Sequence, residues 1–204
     1  MPRWSRRSGI NRREPLRPDR GLTTARRHVA LIRGINVGKA KRVAMSDLRA
    51  LVEDLGYRNV RTLLNSGNVV FTAPASVRKD PASRIEKAIT ARLGISARVT
   101  VLTAAELGDA VARDPFGKVA DNHSRLFVTV LIDPAHRKRL LPLARQDWAP
   151  DILNVGARVV YLWCPNGMLE SRLAEAVNRL VGDGATTRNW ATMMKIHALL
   201  KGDD

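Results

Sequence analysis

The stretch VRTLLNSGNVVFT, residues 60–72, gives the clearest indication of the fold of this chain. Two apolar, β-branched runs flank Asn65-Ser66-Gly67, and these three residue types favour tight turns, so the stretch predicts a β-hairpin. A second stretch, LNVGARVVYLWC at residues 153–164, repeats the plan with Leu-Asn, a glycine and a Val-Val-aromatic run. Two similar hairpins in one chain indicate that one structural unit occurs twice.

The segments around the first hairpin complete a βαββαβ order. The apolar patterns predict a buried strand at 28–33, a helix at 46–55, a second helix at 85–93 that ends at Gly94, and a strand at 97–103. This is the order of the split βαβ, ferredoxin-like arrangement, in which right-handed crossovers place both helices on one face of the sheet.

The second half of the chain restarts the same pattern. A strand at 126–132 precedes the second hairpin, a helix at 169–180 follows it, and a short strand at 185–187 leads into a closing helix that begins near Trp190. We therefore predict an α+β protein with two ferredoxin-like units from an internal duplication, plus a C-terminal helix. The predicted boundaries are residues 28–116, including a linking helix that opens with the capping box Thr103-Ala-Ala-Glu106, and residues 117–204.

Composition excludes several classes of protein. The apolar runs, such as residues 126–132, are far shorter than the roughly 20 residues of a membrane-spanning helix. Cys164 is the only cysteine, which excludes an intrachain disulfide and a cysteine-rich zinc site and favours a reducing, cytoplasmic setting. The net charge of +16 favours anionic partners, nucleic acid among them.

Much of that charge lies in residues 1–27, a predicted disordered basic tail. The segment holds nine arginines against Glu14 and Asp19, so it carries +7 (9 minus 2) of the net charge. It has no hydrophobic periodicity with which to offset the entropy of folding. Such an arm could bind nucleic acid; the alternative is a solvated extension or a start codon placed too early.

The loop after the first strand is the leading candidate for a ligand site. It reads RGINVGKAKR, residues 33–42, with four cations and no acid. Glycines allow main-chain amides to point outward near a helix N-terminus, and beside cations such amides form an anion pocket. We expect a phosphate or carboxylate to bind there, through Arg33, Gly34, Asn36, Gly38 and Lys39. The alternative is that both glycines only shape a tight turn.

Two further segments are weaker candidates for the same site. In Asn65-Ser66-Gly67-Asn68, the side chains of Ser66 and Asn68 would matter only if the hairpin tip folds over a pocket. In Thr186-Thr187-Arg188-Asn189-Trp190, Arg188 could clamp an oxyanion together with Arg33 if the two units face each other. The alternatives are an ordinary turn for the first, and a helix cap at Asn189 with a core residue at Trp190 for the second.

The sequence lacks the motifs of several other kinds of site. The glycine loop lacks the spacing and the Ser or Thr of a Walker P-loop, so nucleotide hydrolysis of that kind is not expected. The four histidines lack zinc-ligand spacing, and we predict no metal site. No nucleophile elbow or paired catalytic carboxylates stand out, so the sequence assigns no catalytic residue, cofactor or oligomeric state.

Three of these segments carry a resemblance to a known family. RGINVG at 33–38, NSGNVVF at 65–71 and TTRNW at 186–190, in this order, resemble the bacterial domain-of-unknown-function family 1697. The likeness covers about residues 28–200 and implies a cytoplasmic α+β protein with two ferredoxin-like halves. It implies no reaction, because the family is named for lacking one.

The functional hypothesis from the sequence is a binding module for a small anionic ligand. Two alternatives stay open: non-specific nucleic-acid binding through the basic surface and tail, and an enzyme without a recognisable catalytic motif.

Overall fold

The computed structural model describes residues 26–36, 42–77 and 80–202. The predicted tail therefore lies outside the described residues, except for Arg26 and Arg27. These two residues belong to the first strand.

The first unit has the predicted βαββαβ order. Its elements are β1 (Arg26–Ile32), α1 (Met45–Asp54), β2 (Arg58–Leu63), β3 (Asn68–Ala73), α2 (Pro81–Leu93) and β4 (Val99–Thr103). The strands form an antiparallel sheet in the order β2-β3-β1-β4. Local signals set the ends of α2: the Asp80 side chain accepts from the main-chain N–H of Ser83, Pro81 occupies the first turn, and Gly94 ends the helix at φ +64°.

A linking helix and a second unit follow. Helix α3 (Ala104–Ala112) opens with the predicted capping box, since Thr103 and Glu106 cap each other reciprocally. The second unit then comprises β5 (Leu126–Leu131), α4 (Arg137–Leu140), β6 (Ile152–Val155), β7 (Val159–Trp163), α5 (Arg172–Val181), β8 (Ala185–Asn189) and α6 (Trp190–Lys201). Its sheet order, β6-β7-β5-β8, repeats that of the first unit, and the predicted fold class is confirmed.

The alternation of side chains along the strands divides the interior into three cores. On β1, Ala30 and Ile32 face a core beneath α1 and α2, while Val29 and Leu31 face the opposite way. The second sheet has its own core beneath α4 and α5. The third core joins the remaining faces of the two sheets with α3 and α6.

Edge strands β4 and β8 meet beside this third core. The hydroxyls of Thr100 and Thr186, both essentially buried, lie 2.9 Å apart and hydrogen-bond to each other. The two units are therefore packed against each other through apolar and polar contacts alike.

One predicted helix begins later than expected. Ser171 caps α5 by accepting from the main-chain N–H of Ala174, so residues 168–170 form a separate 3₁₀ turn before it. Leu169, which we predicted on the inner helical face, is 98% exposed. Within the described residues, none of the helices is long and apolar enough to cross a membrane.

Candidate ligand-binding site

The three motif segments meet at one place in the fold. The loop after β1 contacts the β2–β3 turn, because Asn36 Nδ2 donates to the carbonyl of Asn65 at 2.8 Å. Both segments contact β8: Arg33 Nη1 donates to the carbonyl of Ala185 at 3.1 Å, and Arg188 Nη2 donates to that of Ser66 at 2.7 Å. Segments up to 152 residues apart thus form one cluster at the junction of the two units.

Asn36 shapes the glycine loop. It has a left-handed backbone, φ +56°, which asparagine tolerates better than most residues. Its side-chain oxygen accepts from the N–H of Val43 at 2.7 Å, and its amide nitrogen donates to the carbonyl of Val43 at 2.9 Å. Asn36 therefore ties the end of the segment after β1 to Val43, two residues before the start of α1.

The tip of the β2–β3 hairpin folds onto this loop. Gly67 has φ +76°, and a Cβ there would lie 2.7 Å from Ile35 Cδ1 and 3.0 Å from Ile32 Cβ. Glycine is thus needed for both the backbone angle and the close approach. The buried Asn68 then donates to the Leu63 carbonyl and the Ser66 hydroxyl, which fixes the turn from within.

Arg188 reaches from β8 into the hairpin. Its Nε donates to Asn68 Oδ1 at 2.6 Å, and its other nitrogens donate to main-chain carbonyls, including that of Ile32 at 2.8 Å. Burial and, second, the positive charge of Arg33 lower the pKa of Arg188 to about 10. The side chain still carries its charge near neutral pH, and no carboxylate among the described residues pairs with it.

Arg33 lies at the rim of a cleft in the second unit. Its Nε is 3.3 Å from Asp183 Oδ1, and its Nη2 donates to Asn178 Oδ1 at 3.1 Å. The side chain of Arg33 is 30% exposed, and that of Asp183 is 82% exposed. Within the part of the chain that the structure describes, Asp183 is therefore the one carboxylate that pairs with Arg33, and it is largely exposed.

This β8–α5 cleft lies between α5 and the helix-covered face of the second sheet, with a volume of about 530 Å³. The hydroxyls of Thr129 and Thr187 lie on the sheet side, 2.8 Å apart. Ser171 and Arg172 line it at the start of α5, and Glu175 lines it one turn later. Most of these residues could not be predicted from the sequence, because no strand or helix pattern shows which side chains meet across a cleft.

The remaining predicted site residues fall in three groups. Gly34 is exposed at φ +74°, and no atom of the described residues lies within 4 Å of a Cβ added there. Asn189 caps α6 by accepting from the N–H of Thr192 at 2.9 Å, as the alternative interpretation predicted, and Trp190 is buried. Gly38 and Lys39 lie outside the described residues.

The fold and this cluster define the class of the protein: an α+β protein of two ferredoxin-like units, with three motif segments joined where the units meet. The chain belongs to the family described as protein of unknown function (DUF1697), whose model matches residues 25–161. The match includes the first two motifs, and the third lies beyond it.

A solved structure is similar over nearly the whole chain. It is that of a conserved bacterial protein from Streptococcus pneumoniae, with 20% sequence identity and a TM-score of 0.70. The similarity covers 87% of this chain and 99% of that one, and at this identity it supports the fold alone. No curated protein matches the sequence.

Proposed function

We propose that the protein binds a small phosphate- or carboxylate-bearing molecule in the β8–α5 cleft, with Arg33 as the cation that contacts its anionic group. The observation that carries the proposal is the position of Arg33, which comes from the first unit and lines the cleft of the second. Its single acidic partner among the described residues, Asp183, is largely exposed.

The charge balance around Arg33 supports an anionic ligand. Arg188 is close enough for the charge of Arg33 to lower its pKa, and it donates only to an amide oxygen and to main-chain carbonyls. Beside Arg33, two neighbouring guanidinium groups stand against one exposed carboxylate, that of Asp183, and the rest of the lining adds Arg172, Glu170 and Glu175. A bound anion would offset the repulsion between the two cations.

The lining of the cleft supports a small organic molecule. The volume of about 530 Å³ falls within the range typical of sites for such ligands. The hydroxyls of Thr129 and Thr187, which hydrogen-bond to each other, can also bond to a ligand, while Leu162 and Val177 offer apolar contact. Such a mixture of mainly apolar walls with a few polar groups fixes both affinity and orientation.

The other predicted residues take a supporting role in this proposal. Asn36, Ser66 and Asn68 use their side chains to hold the loop and the hairpin turn. Arg188 contributes charge and position, whereas Gly34, Gly38 and Lys39 stay contacts predicted from the sequence, the last two outside the described residues. Arg33 alone is therefore the position at which the proposal is best tested.

The first prediction concerns the affinity for inorganic phosphate, measured by isothermal titration calorimetry at constant ionic strength. Arg33→Ala should weaken binding at least about tenfold, because it removes a charge-assisted hydrogen-bond donor. Arg33→Lys should retain part of the affinity, since it keeps the charge but loses the planar fork.

The matched control is Arg49→Ala. Arg49 lies exposed on α1 and pairs with Glu53, so its removal changes the net charge equally without touching the cleft. Equal phosphate affinity in the wild type, Arg33→Ala and Arg49→Ala would contradict the proposal. Melting curves of all three proteins check that the fold is kept.

Non-specific nucleic-acid binding and catalysis remain predictions of the sequence. Seven of the nine arginines in residues 1–27 precede Arg26 and so lie outside the described residues. Deleting residues 1–25 and measuring the salt dependence of DNA binding tests the tail as the carrier of such binding.

A further inference from the structure

Asp183 and Asn178 together occupy one edge of the Arg33 guanidinium. Asp183 Oδ1 is 3.3 Å from Nε, and Asn178 Oδ1 is 3.1 Å from Nη2. The Nε and Nη2 groups form the edge of arginine that can hold both oxygens of one carboxylate or two oxygens of one phosphate. Here two separate side chains share the edge, so its capacity for a bidentate anion is unused.

The ion pair between Asp183 and Arg33 is weak. Asp183 is 82% exposed and touches Arg33 through a single long contact, and exposed pairs of this kind contribute little free energy. The residue sits between Gly182 and Gly184 in the turn after α5, with Gly182 at φ +47°. Because the Asp183 side chain is so exposed, rotation about its own side-chain bonds is enough to move the carboxylate away from Arg33.

On the basis of the proposed function, we infer that Asp183 competes with the ligand for Arg33. Its carboxylate pairs with the guanidinium until an anion with two oxygens displaces it. This arrangement lowers the affinity for every anion. It also favours phosphate and carboxylates over halide ions, since only a ligand with two oxygens can fill the Nε and Nη2 positions together.

The test compares Asp183→Asn with Asp54→Asn. Asp54 lies exposed on α1 and pairs with Arg92, so the two substitutions raise the net charge equally. Inorganic phosphate should bind Asp183→Asn about two- to fivefold more tightly than the wild type, the range expected when an exposed ion pair is removed. Asp54→Asn should bind phosphate as the wild type does, and Arg33→Ala/Asp183→Asn should lose the gain.

The outcomes separate this inference from the proposed function. Phosphate binding of equal strength in the wild type and Asp183→Asn, both dependent on Arg33, overturns the competitor role and leaves the site in place. An equal gain in Asp54→Asn also overturns it, because the effect is then one of net charge. Absence of phosphate binding in both the wild type and Asp183→Asn overturns the site and the competitor together, whereas binding by Asp183→Asn alone supports both.

Discussion

Arg188 donates its side-chain N–H groups to acceptors in three segments of the chain. These are Asn68 at the start of β3, the carbonyl of Ile32 at the end of β1, and the carbonyl of Ser66 in the hairpin turn. Because Asn68 is buried, its amide oxygen has no water to replace the guanidinium. Arg188 thus holds β8 against the first unit.

A second prediction follows at this residue. Arg188→Ala should lower the free energy of unfolding by about 2–4 kcal/mol, because it leaves a buried amide and several carbonyls without a donor. Urea denaturation measures this loss, and Arg49→Ala should change the same quantity by less than about 1 kcal/mol. An Arg188→Ala protein as stable as Arg49→Ala would show that water replaces the lost donors.

The role of Arg188 could not be predicted from the sequence, although its importance could. The motif TTRNW singled out the residue, and the glycine loop singled out Arg33. However, the partners of Arg188 lie up to 156 residues away, and no local pattern gives the register that brings them together. The motif suggested that the Arg188 guanidinium binds a ligand. In the structure, its N–H groups donate to Asn68 and to main-chain carbonyls.

At the scale of single helices and strands, the features that could be predicted from the sequence depend on interactions between residues close together in the chain. Strand β3 and helices α2 and α3 follow from an apolar, β-branched run, a helical face that ends at Gly94 and a cap at Thr103, all of which act within a few residues. The start of α5 was missed because Leu169 and Leu173 have helical spacing, yet Ser171 caps the helix between them. At this end of α5, the side-chain cap rather than the spacing of apolar residues determines where the helix begins.

A third prediction concerns the N-terminus of α3. Burial opposes ionisation of Glu106, but hydrogen bonds from Thr103 and the charge of Arg158 outweigh it and lower the pKa of this carboxyl. A lowered pKa in the folded state stabilises the protein above the ordinary carboxyl pKa of 4.5, and this contribution is lost as the pH falls through the lowered value.

Glu106→Gln keeps a capping side chain but removes the ion pair with Arg158. It should cost less than about 1 kcal/mol at pH 7, since both partners are part-exposed. The difference from the wild type should vanish as the pH falls well below 4.5, as measured by urea denaturation across that range. A difference that is constant with pH would mean that the ion pair with Arg158 contributes nothing.

At the scale of the whole molecule, the third core determines how the two units behave. It contains residues of both sheets together with α3 and α6, so neither sheet can bury this face without the other. We propose that residues 28–116 and 117–204 are structural units of one cooperative domain rather than two independent ones. The ligand site depends on the same arrangement, since Arg33 and the β8–α5 cleft come from different units.

The last prediction tests this cooperativity through Leu107, a fully buried residue of α3 in the third core. Leu107→Ala should cost about 2–4 kcal/mol through lost burial and the cavity left behind. If the units unfold together, hydrogen exchange of the most protected amides in α2 and in α5 should accelerate by the same factor, although neither helix belongs to the third core. Denaturation should also stay a single transition with both far-ultraviolet dichroism and tryptophan fluorescence. Faster exchange in one helix alone, or two separate transitions, would show that each sheet with its own helices folds independently and that the third core only joins them.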